Sequence, residues 1–164
     1  MPLANHINPD HFLDLDREQS ISREEGLAAW EQAYTRLGEA LHALGGAATL
    51  YVVFGLQGGG KSTWVAGNAP HLGEQAVFFD GPLPSRRHRQ RALAIASEVG
   101  CRAVAVWVNT PLAVARARNT SRRGLARIKD ETLMHVFESL EPPSLDEGFS
   151  EIIEVVPRPP LNPD

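Results

Sequence analysis

Eight consecutive residues carry the clearest chemical signal in this chain: Gly-Leu-Gln-Gly-Gly-Gly-Lys-Ser at positions 55–62. A glycine, four residues and then Gly-Lys-Ser is the spacing of a phosphate-binding loop, in which glycines let backbone N–H groups approach phosphate oxygens closely. Lys61 adds positive charge for the β- and γ-phosphates, and the Ser62 hydroxyl suits the coordination shell of Mg²⁺. We expect the nucleotide-binding residues of the loop to be Gly55, Gln57, Gly58, Gly59, Gly60, Lys61, Ser62 and Thr63.

The segments on either side of the loop have the order that such a loop requires. Residues 49–54, Thr-Leu-Tyr-Val-Val-Phe, are typical of a buried parallel strand. Residues 63–66 open a helix, whose N-terminal N–H groups and positive dipole end favour an anion. Strand, loop and helix together predict binding of a nucleoside triphosphate, with ATP and Mg²⁺ as the expected cofactors.

A carboxylate follows the next predicted strand, because Asp80 comes directly after the apolar and aromatic residues 75–79. A carboxylate beside a phosphate-binding loop holds Mg²⁺, or accepts a proton from an acceptor hydroxyl. The alternative is an aspartate that only caps the turn at Gly81-Pro82. We predict that Asp80 is catalytic, contacts the acceptor and binds the metal.

Two groups of arginines supply positive charge after Asp80. Arginine presents a planar set of donors that fits phosphate oxygens, and one that closes over the γ-phosphate raises the transfer rate by ~10³–10⁵. The later group, at the end of one predicted helix and in the loop after it, consists of Arg116, Arg118, Arg122, Arg123 and Arg127. The earlier group consists of Arg86, Arg87, Arg89 and Arg91, beside His88. Helical spacing turns at least half of the earlier group to solvent, so only Arg86 or Arg87 is a candidate for acceptor binding.

Strands and helices alternate through most of the chain. Strands are predicted at 49–54, 75–79, 103–108 and 152–156, separated by helices at 63–70, 85–99, 111–119 and 130–140. This order predicts an α/β fold, a three-layer doubly wound parallel sheet with an N-terminal helical extension. Ligands of such sheets bind at the carboxyl ends of the strands, where Gly55, Asp80 and Asn109 fall. We expect a leader and helix packed on the core at 1–46, the phosphate-binding domain at 47–157 and a disordered Pro-rich tail at 158–164.

The N-terminal region contains one clear element. Ser22 followed by Glu25 is a capping-box signature, and the helix that it opens is expected to end near Leu44, before two glycines. Residues 1–20 show no period and are expected to form a loosely attached leader. The apolar seam of the helix packs either on the core, which its short length favours, or on a second copy in a homodimer. The seam consists of Leu27, Trp30, Tyr34, Leu37, Leu41 and Leu44.

Composition narrows the class of protein. The 164 residues are 43% hydrophobic, and no apolar run approaches the ~18 residues of a membrane span. A single cysteine and no secretory signal favour a cytoplasmic protein without a membrane partner. The net charge of −4 hides a basic segment, because residues 86–129 contain eleven arginines and lysines and one acid. Such a segment favours polyanionic partners: nucleotide phosphates, and a nucleic acid as an acceptor.

The chain resembles the polynucleotide-kinase-like branch of P-loop kinases, which includes zeta-toxin-like kinases and other small AAA-type ATP-binding kinases. The resemblance covers residues 49–157 and rests on motifs in this order: the phosphate-binding loop, Asp80 with Arg86/Arg87, Arg118-Asn119 with Arg122, Phe137-Glu138, Pro142/Pro143 and Glu147-Gly148-Phe149. It implies that Lys61 and Ser62 hold phosphates and Mg²⁺, and that Asp80 lies on the acceptor side. It also implies that Arg122, in a lid-like loop, reaches the transferred phosphoryl group, that Arg118 flanks the nucleotide and that residues 147–149 are structural.

The chain departs from this family between the loop and Asp80. Family members that phosphorylate a 5′-hydroxyl usually have a further strand and helix there, and that strand supplies the general base. Only sixteen residues separate Thr63 from Asp80, which leaves room for one helix and one strand. Three alternatives follow: Asp80 acts as the base, an N-terminal acid such as Asp14 or Asp16 folds into the site, or the protein hydrolyses ATP without a dedicated acceptor.

The sequence therefore predicts a small ATP-dependent kinase that transfers the γ-phosphoryl group to a hydroxyl. A polynucleotide 5′-hydroxyl is the acceptor that the basic segment favours, and a small metabolite is the alternative. A nucleotide-binding regulatory module without turnover is the competing prediction from another functional class, and the shortened middle of the chain favours it.

Overall fold

The computed structural model describes residues 5–157. Five strands form one parallel sheet: β1 (His6–Ile7), β2 (Thr49–Gly55), β3 (Ala76–Gly81), β4 (Arg102–Val108) and β5 (Glu151–Val155). Their order across the sheet is β1-β3-β2-β4-β5. The helices are α1 (Arg23–Leu44), α2 (Lys61–Leu72), α3 (Arg86–Val99), α4 (Leu112–Ser121) and α5 (Asp130–Ser139).

Alternate side chains of the central strand β2 face opposite layers of helices. Leu50, Val52 and Phe54 pack in a core with α1 and α3, whereas Val53 packs with Val65 of α2 on the other face. This period of two follows from the pleat of a strand. The arrangement of helices on both faces of a parallel sheet confirms the predicted α/β fold.

The capping box at Ser22 is present, since Glu25 N–H donates to the Ser22 hydroxyl at 3.1 Å and the Glu25 carboxylate accepts from Ser22 N–H at 3.2 Å. The seam of α1 lies on the core of its own chain. Leu37 and Leu41 are fully buried, and the Trp30 and Tyr34 rings contact the ring of Phe79. Most of the seam is therefore covered by the core of its own chain, Leu27 stays exposed, and a homodimer through α1 stays a prediction.

The N-terminal residues differ from the expected loose leader. His6–Ile7 forms the parallel edge strand β1, paired with residues 78–79 of β3. A short 3₁₀ turn, Pro9–Phe12, follows directly, and the Asn8 side chain caps it by accepting from Asp10 N–H at 2.8 Å. A two-residue strand has too few residues to show a period, so the sequence pattern gave no sign of it.

Other boundaries differ by one or two residues. Helix α2 continues to Leu72, two residues beyond its predicted end at Pro70. A proline in the last turn of a helix removes only one hydrogen bond, so two further residues can still follow it. The predicted Pro-rich tail, residues 158–164, lies outside the described residues. Within residues 5–157, no helix has the length and apolar character needed to cross a lipid bilayer.

Candidate active site

The phosphate-binding loop lies between the carboxyl end of β2 and the first residue of α2. Gly60 precedes the helix with a φ of 96°, and an added Cβ there would lie 3.2 Å from the Arg118 guanidinium. At the start of the loop, Gly55 has a φ of 145° and lies against the backbone oxygen of Val108. Both positions therefore require glycine.

Thr110, which follows β4, fixes the middle of the loop. Its hydroxyl donates to the Gly59 carbonyl at 2.7 Å, and the side chain is buried. The bond orients the Gly59 peptide, so the neighbouring strand helps to shape the loop that carries the N–H groups.

Lys61 is buried beneath the loop. Its Nζ donates to the carbonyl oxygens of Gly55 at 3.0 Å and Leu56 at 2.9 Å. Burial lowers the pKa of Lys61 from 10.5 to about 8, and the negative charge of Asp80 acts in the opposite direction. The lysine thus has a partly uncompensated charge, which the phosphates of a nucleotide would neutralise.

Asp80 is the last residue but one of β3 and is fully buried beside the loop. One carboxylate oxygen, Oδ2, accepts from the Ser62 hydroxyl at 2.7 Å and lies 2.8 Å from His6 Nε2. Burial alone would raise the pKa of Asp80, but the His6 contact, the Lys61 charge and the Ser62 hydrogen bond together hold this pKa below its ordinary value. Asp80 is therefore a stable carboxylate and a weak base.

The same residues fit a Mg²⁺ ion. Among the described residues, the second carboxylate oxygen of Asp80, Oδ1, is buried without a hydrogen-bond partner. Such an oxygen beside the Ser62 hydroxyl provides the hard ligands that Mg²⁺ prefers, and Mg²⁺ usually takes only one or two protein ligands beside phosphate and water. Across residues 5–157 no group of three or more His, Cys, Asp or Glu side chains is placed to hold a metal. Ser62 and Asp80 are thus the residues that would hold the ion together with the nucleotide.

A cavity of about 370 Å³ opens over the loop on the side of β1 and β3. Its charged side chains are Asp10, Lys61, Asp80 and Arg122. Apolar residues from the N-terminal segment, α1 and the loop after α4 also line this cavity. These are Pro9, Leu13, Leu15, Ile21, Trp30, Leu125 and Ile128.

A second cavity, of about 450 Å³, lies on the other side of the same loop. Gly58, Gly59 and Gly60 line both cavities. The second cavity is lined in addition by Trp64, Val108, Arg118, Val155 and Pro157. The half-buried Arg118 donates to the Gly58 carbonyl at 3.3 Å. The second cavity thus combines a planar cation with apolar side chains directly beside the loop.

The structure separates the predicted arginines. Arg122 lines both cavities, is exposed and donates to the Ala126 carbonyl at 3.5 Å. Arg86 and Arg87 line neither cavity, and Arg86 instead pairs with Asp146 at 2.9 Å. Arg86 and Arg87 therefore lie outside the two cavities, and their role in acceptor binding stays a prediction.

Arg89, which the sequence did not indicate as a site residue, is the buried member of the earlier arginine group. Its guanidinium forms two hydrogen bonds to the Glu147 carboxylate, at 2.9 and 3.1 Å, and stacks 4.5 Å from the centre of the Phe54 ring. It also donates to the carbonyl oxygens of Leu83 and Pro84. Leu83 has a φ of 35°, which is rare for a residue with a branched side chain. Arg89 and Glu147 therefore hold the strained turn after β3, next to the cavity.

The basic segment 86–129 is less basic in the fold than in the sequence. Five of its arginines form ion pairs with carboxylates from other parts of the chain. The pairs are Arg86–Asp146, Arg89–Glu147, Arg91–Glu31, Arg102–Glu151 and Arg116–Asp130. In the folded chain, acidic residues from other segments thus neutralise part of the basic segment. The net charge of residues 86–129 is therefore a poor guide to a surface that binds nucleic acid.

Asp10 and His6 are the site residues that sequence reasoning missed. Their positions depend on pairing between β1 and β3, which are about seventy residues apart. Asp14 and Asp16, the predicted N-terminal acids, do not line the cavity. The Asp14 carboxylate instead accepts from Asp16 N–H at 3.1 Å. The only available signal was an aspartate directly after Asn8-Pro9, a pair typical of a turn.

Comparison with known proteins bears on the segment that follows the loop. Residues 65–143 match the family described as the AAA domain. No curated protein matches the chain. The matched segment includes Asp80, Arg118 and Arg122 but starts after Lys61. Together with the parallel sheet and the loop geometry, this similarity supports a P-loop nucleotide-binding domain of the kinase-like type.

Proposed function

We propose that the protein is an ATP-dependent phosphotransferase that moves the γ-phosphoryl group of ATP to a hydroxyl of an acceptor molecule. The observation that carries this proposal is the pair of cavities that share one phosphate-binding loop. Bound ATP would occupy the second cavity and reach the first with its γ-phosphoryl group, and the apolar wall of the first cavity offers further space beyond it. Two cavities provide space for a nucleotide on one side and an acceptor on the other.

The second cavity, lined by Trp64 and Arg118, suits the nucleoside end of ATP. The triphosphate would then lie across the N-terminus of α2, with the γ-phosphoryl group at the first cavity. Lys61 would neutralise the β- and γ-phosphates, and Arg122, at the boundary of both cavities, would stabilise the charge on the transferred group. Mg²⁺ bound at Ser62 and Asp80 would bridge phosphate oxygens and neutralise their charge.

A small acceptor is favoured over a polynucleotide. The ion pairs described above engage five arginines of the basic segment, including Arg86. The acceptor cavity has an apolar wall beside its polar side, and part of this wall comes from the N-terminal segment. A polynucleotide needs a row of free cations along its backbone, whereas a small hydroxyl compound needs only a shaped pocket.

The test is a screen of purified protein with γ-labelled ATP and Mg²⁺ against 5′-hydroxyl DNA, 5′-hydroxyl RNA, nucleosides, sugars and amino alcohols. Transfer of label to a small acceptor, abolished by Lys61→Ala, is the expected result. Labelling of oligonucleotides alone would contradict the small acceptor but keep the phosphotransferase. ADP formation that no compound stimulates would instead indicate an ATPase. Tight Mg²⁺·ATP binding with no ADP formed would indicate a regulatory module.

A further inference from the structure

We propose that the N-terminal segment completes the acceptor site and that Asp10 is the residue that takes the proton from the acceptor hydroxyl, which belongs to a neutral or cationic compound. The inference rests on the proposed function. Three independent observations support it: the topology of β1, the arrangement of charges in the cavity and the composition of its walls.

Topology brings Asp10 to the loop. Strand β1 runs parallel to β3, so both strands end at the edge of the sheet where Asp80 and the loop lie. The turn after β1 has Pro9 buried, and the Asn8 cap fixes its first residues. The His6 and His11 rings pack edge to face at 5.1 Å, which holds the turn against the strand. Asp10 is therefore placed by packing, and its side chain is exposed to the cavity.

The two carboxylates of the cavity have opposite environments. Desolvation raises the pKa of Asp10, and the negative charge of Asp80 adds to this effect. The charges of Lys61, Arg122 and His11 act in the opposite direction but do not reverse it. Asp80, by contrast, is fully buried, and its Oδ2 is engaged by Ser62 and His6. Asp10 is exposed and lines the cavity, so it is the carboxylate better placed to accept a proton from an acceptor.

The charges of the cavity also define the acceptor. Its cations are Lys61 and Arg122, and both face the phosphates of ATP in the proposed function. With Mg²⁺·ATP bound, Asp80 would face the metal ion, so the charged group left for the acceptor would be the Asp10 carboxylate. An anionic acceptor would meet like charge there, whereas a neutral alcohol or an amino alcohol would not. The apolar wall around Trp30 adds a surface for a carbon skeleton.

The reaction step balances as follows. The acceptor oxygen forms a bond to the γ-phosphorus of ATP as the bond from that phosphorus to the β,γ-bridging oxygen breaks. The hydroxyl proton moves to an Asp10 carboxylate oxygen and later to water. The products are the phosphate monoester, ADP and one proton.

The experiment compares wild type with Asp10→Asn and with Glu18→Gln, a matched control that removes a carboxylate from an exposed position of the same segment. We expect Asp10→Asn to lower kcat for acceptor phosphorylation by ~10²–10⁴. Glu18→Gln should act as wild type. Affinity for Mg²⁺·ATP, measured by calorimetry, should not change in Asp10→Asn. The melting temperature of Asp10→Asn should not fall, because this substitution removes a negative charge that the position does not favour.

The pH dependence of kcat/KM gives a second readout, because a purely structural role of Asp10 would leave it unchanged. In wild type, kcat/KM should fall with acid as Asp10 takes up a proton, and this acid limb should be absent in Asp10→Asn. The acceptors are tested in three charge classes: sugar phosphates and 5′-hydroxyl oligonucleotides, nucleosides and polyols, and amino alcohols. Turnover confined to the anionic class, or an Asp10→Asn variant as fast as wild type, would overturn this inference and leave the phosphotransferase intact. Wild-type protein that phosphorylates none of these compounds would overturn both.

Discussion

The buried Lys61 predicts a stability that rises with pH in nucleotide-free and metal-free protein. Its pKa falls from 10.5 to about 8 on folding, so the folded protein binds fewer protons than the unfolded chain between these two values. The free energy of unfolding therefore increases with pH across that interval. The full effect of such a shift is about 3 kcal/mol, and about 2 kcal/mol of it is recovered between pH 7 and pH 10.

The assay is urea unfolding of wild type and Lys61→Met at pH 7 and pH 10, in EDTA. Other groups titrate in both proteins, so the difference between their two pH effects isolates Lys61. We expect wild type to gain about 2 kcal/mol more than Lys61→Met over this interval. Lys129→Met is the matched control, because Lys129 is the exposed lysine of the loop after α4. It should behave as wild type.

Bound nucleotide should stabilise wild type, because Lys61 helps to hold its phosphates. At about 100 times its Kd, Mg²⁺·ATP should add ~2.7 kcal/mol to the free energy of unfolding at pH 7. For a chain of this length that corresponds to a rise in Tm of roughly 5–10 °C. Lys61→Met should show no such rise. Unfolding curves of wild type and Lys61→Met that shift equally between pH 7 and pH 10 would refute the reasoning, because Lys61 would then not be a desolvated cation.

Three further substitutions test other parts of the site. Gly55→Ala should destabilise the protein by at least ~1–3 kcal/mol, since its φ of 145° is strained for alanine and the new Cβ would collide with the Val108 carbonyl; chemical denaturation that shows no loss would contradict this. Glu147→Gln should cost about 3–5 kcal/mol, because it leaves the buried Arg89 guanidinium without a counter-charge, and a double-mutant cycle with Arg89→Met would measure the coupling. Arg122→Ala should preserve nucleotide affinity and lower turnover by ~10³ or more, and an unchanged rate would remove Arg122 from the transfer step.

Local signals in the sequence were enough to predict the phosphate-binding loop and most elements of the sheet. The loop needs a strand, a set of glycines, Lys61 and a helix in immediate succession, and all of these lie between residues 49 and 72. The start of α1 was also predicted correctly, because a capping box involves only Ser22 and Glu25. Such features depend on neighbours in the chain, so they can be predicted from a single sequence.

Features that depend on distant pairing were not predicted. Arg86 and Arg89 both belong to one basic group, and only the position of Glu147 decides that Arg89 is the buried one. Likewise, the positive charges of residues 86–129 could be counted in the sequence. The ion pairs that they form with acids of α1, α5 and β5 could not be predicted from it. Which charges remain free is a property of the fold and not of the composition.

The N-terminal segment shows why the two kinds of information must be combined. The spacing between Thr63 and Asp80 indicated that a carboxylate-bearing strand was missing, and this reading left the proton acceptor open between Asp80 and an N-terminal acid. The structure adds a strand from the N-terminus at the edge of β3, and the turn after it directs Asp10 to the cavity. Asp80 is held ionised by Ser62, Lys61 and His6, which suits a metal ligand. Asp10 is the carboxylate whose surroundings favour a proton, and the acceptor chemistry should therefore depend on a segment that lies before the matched domain.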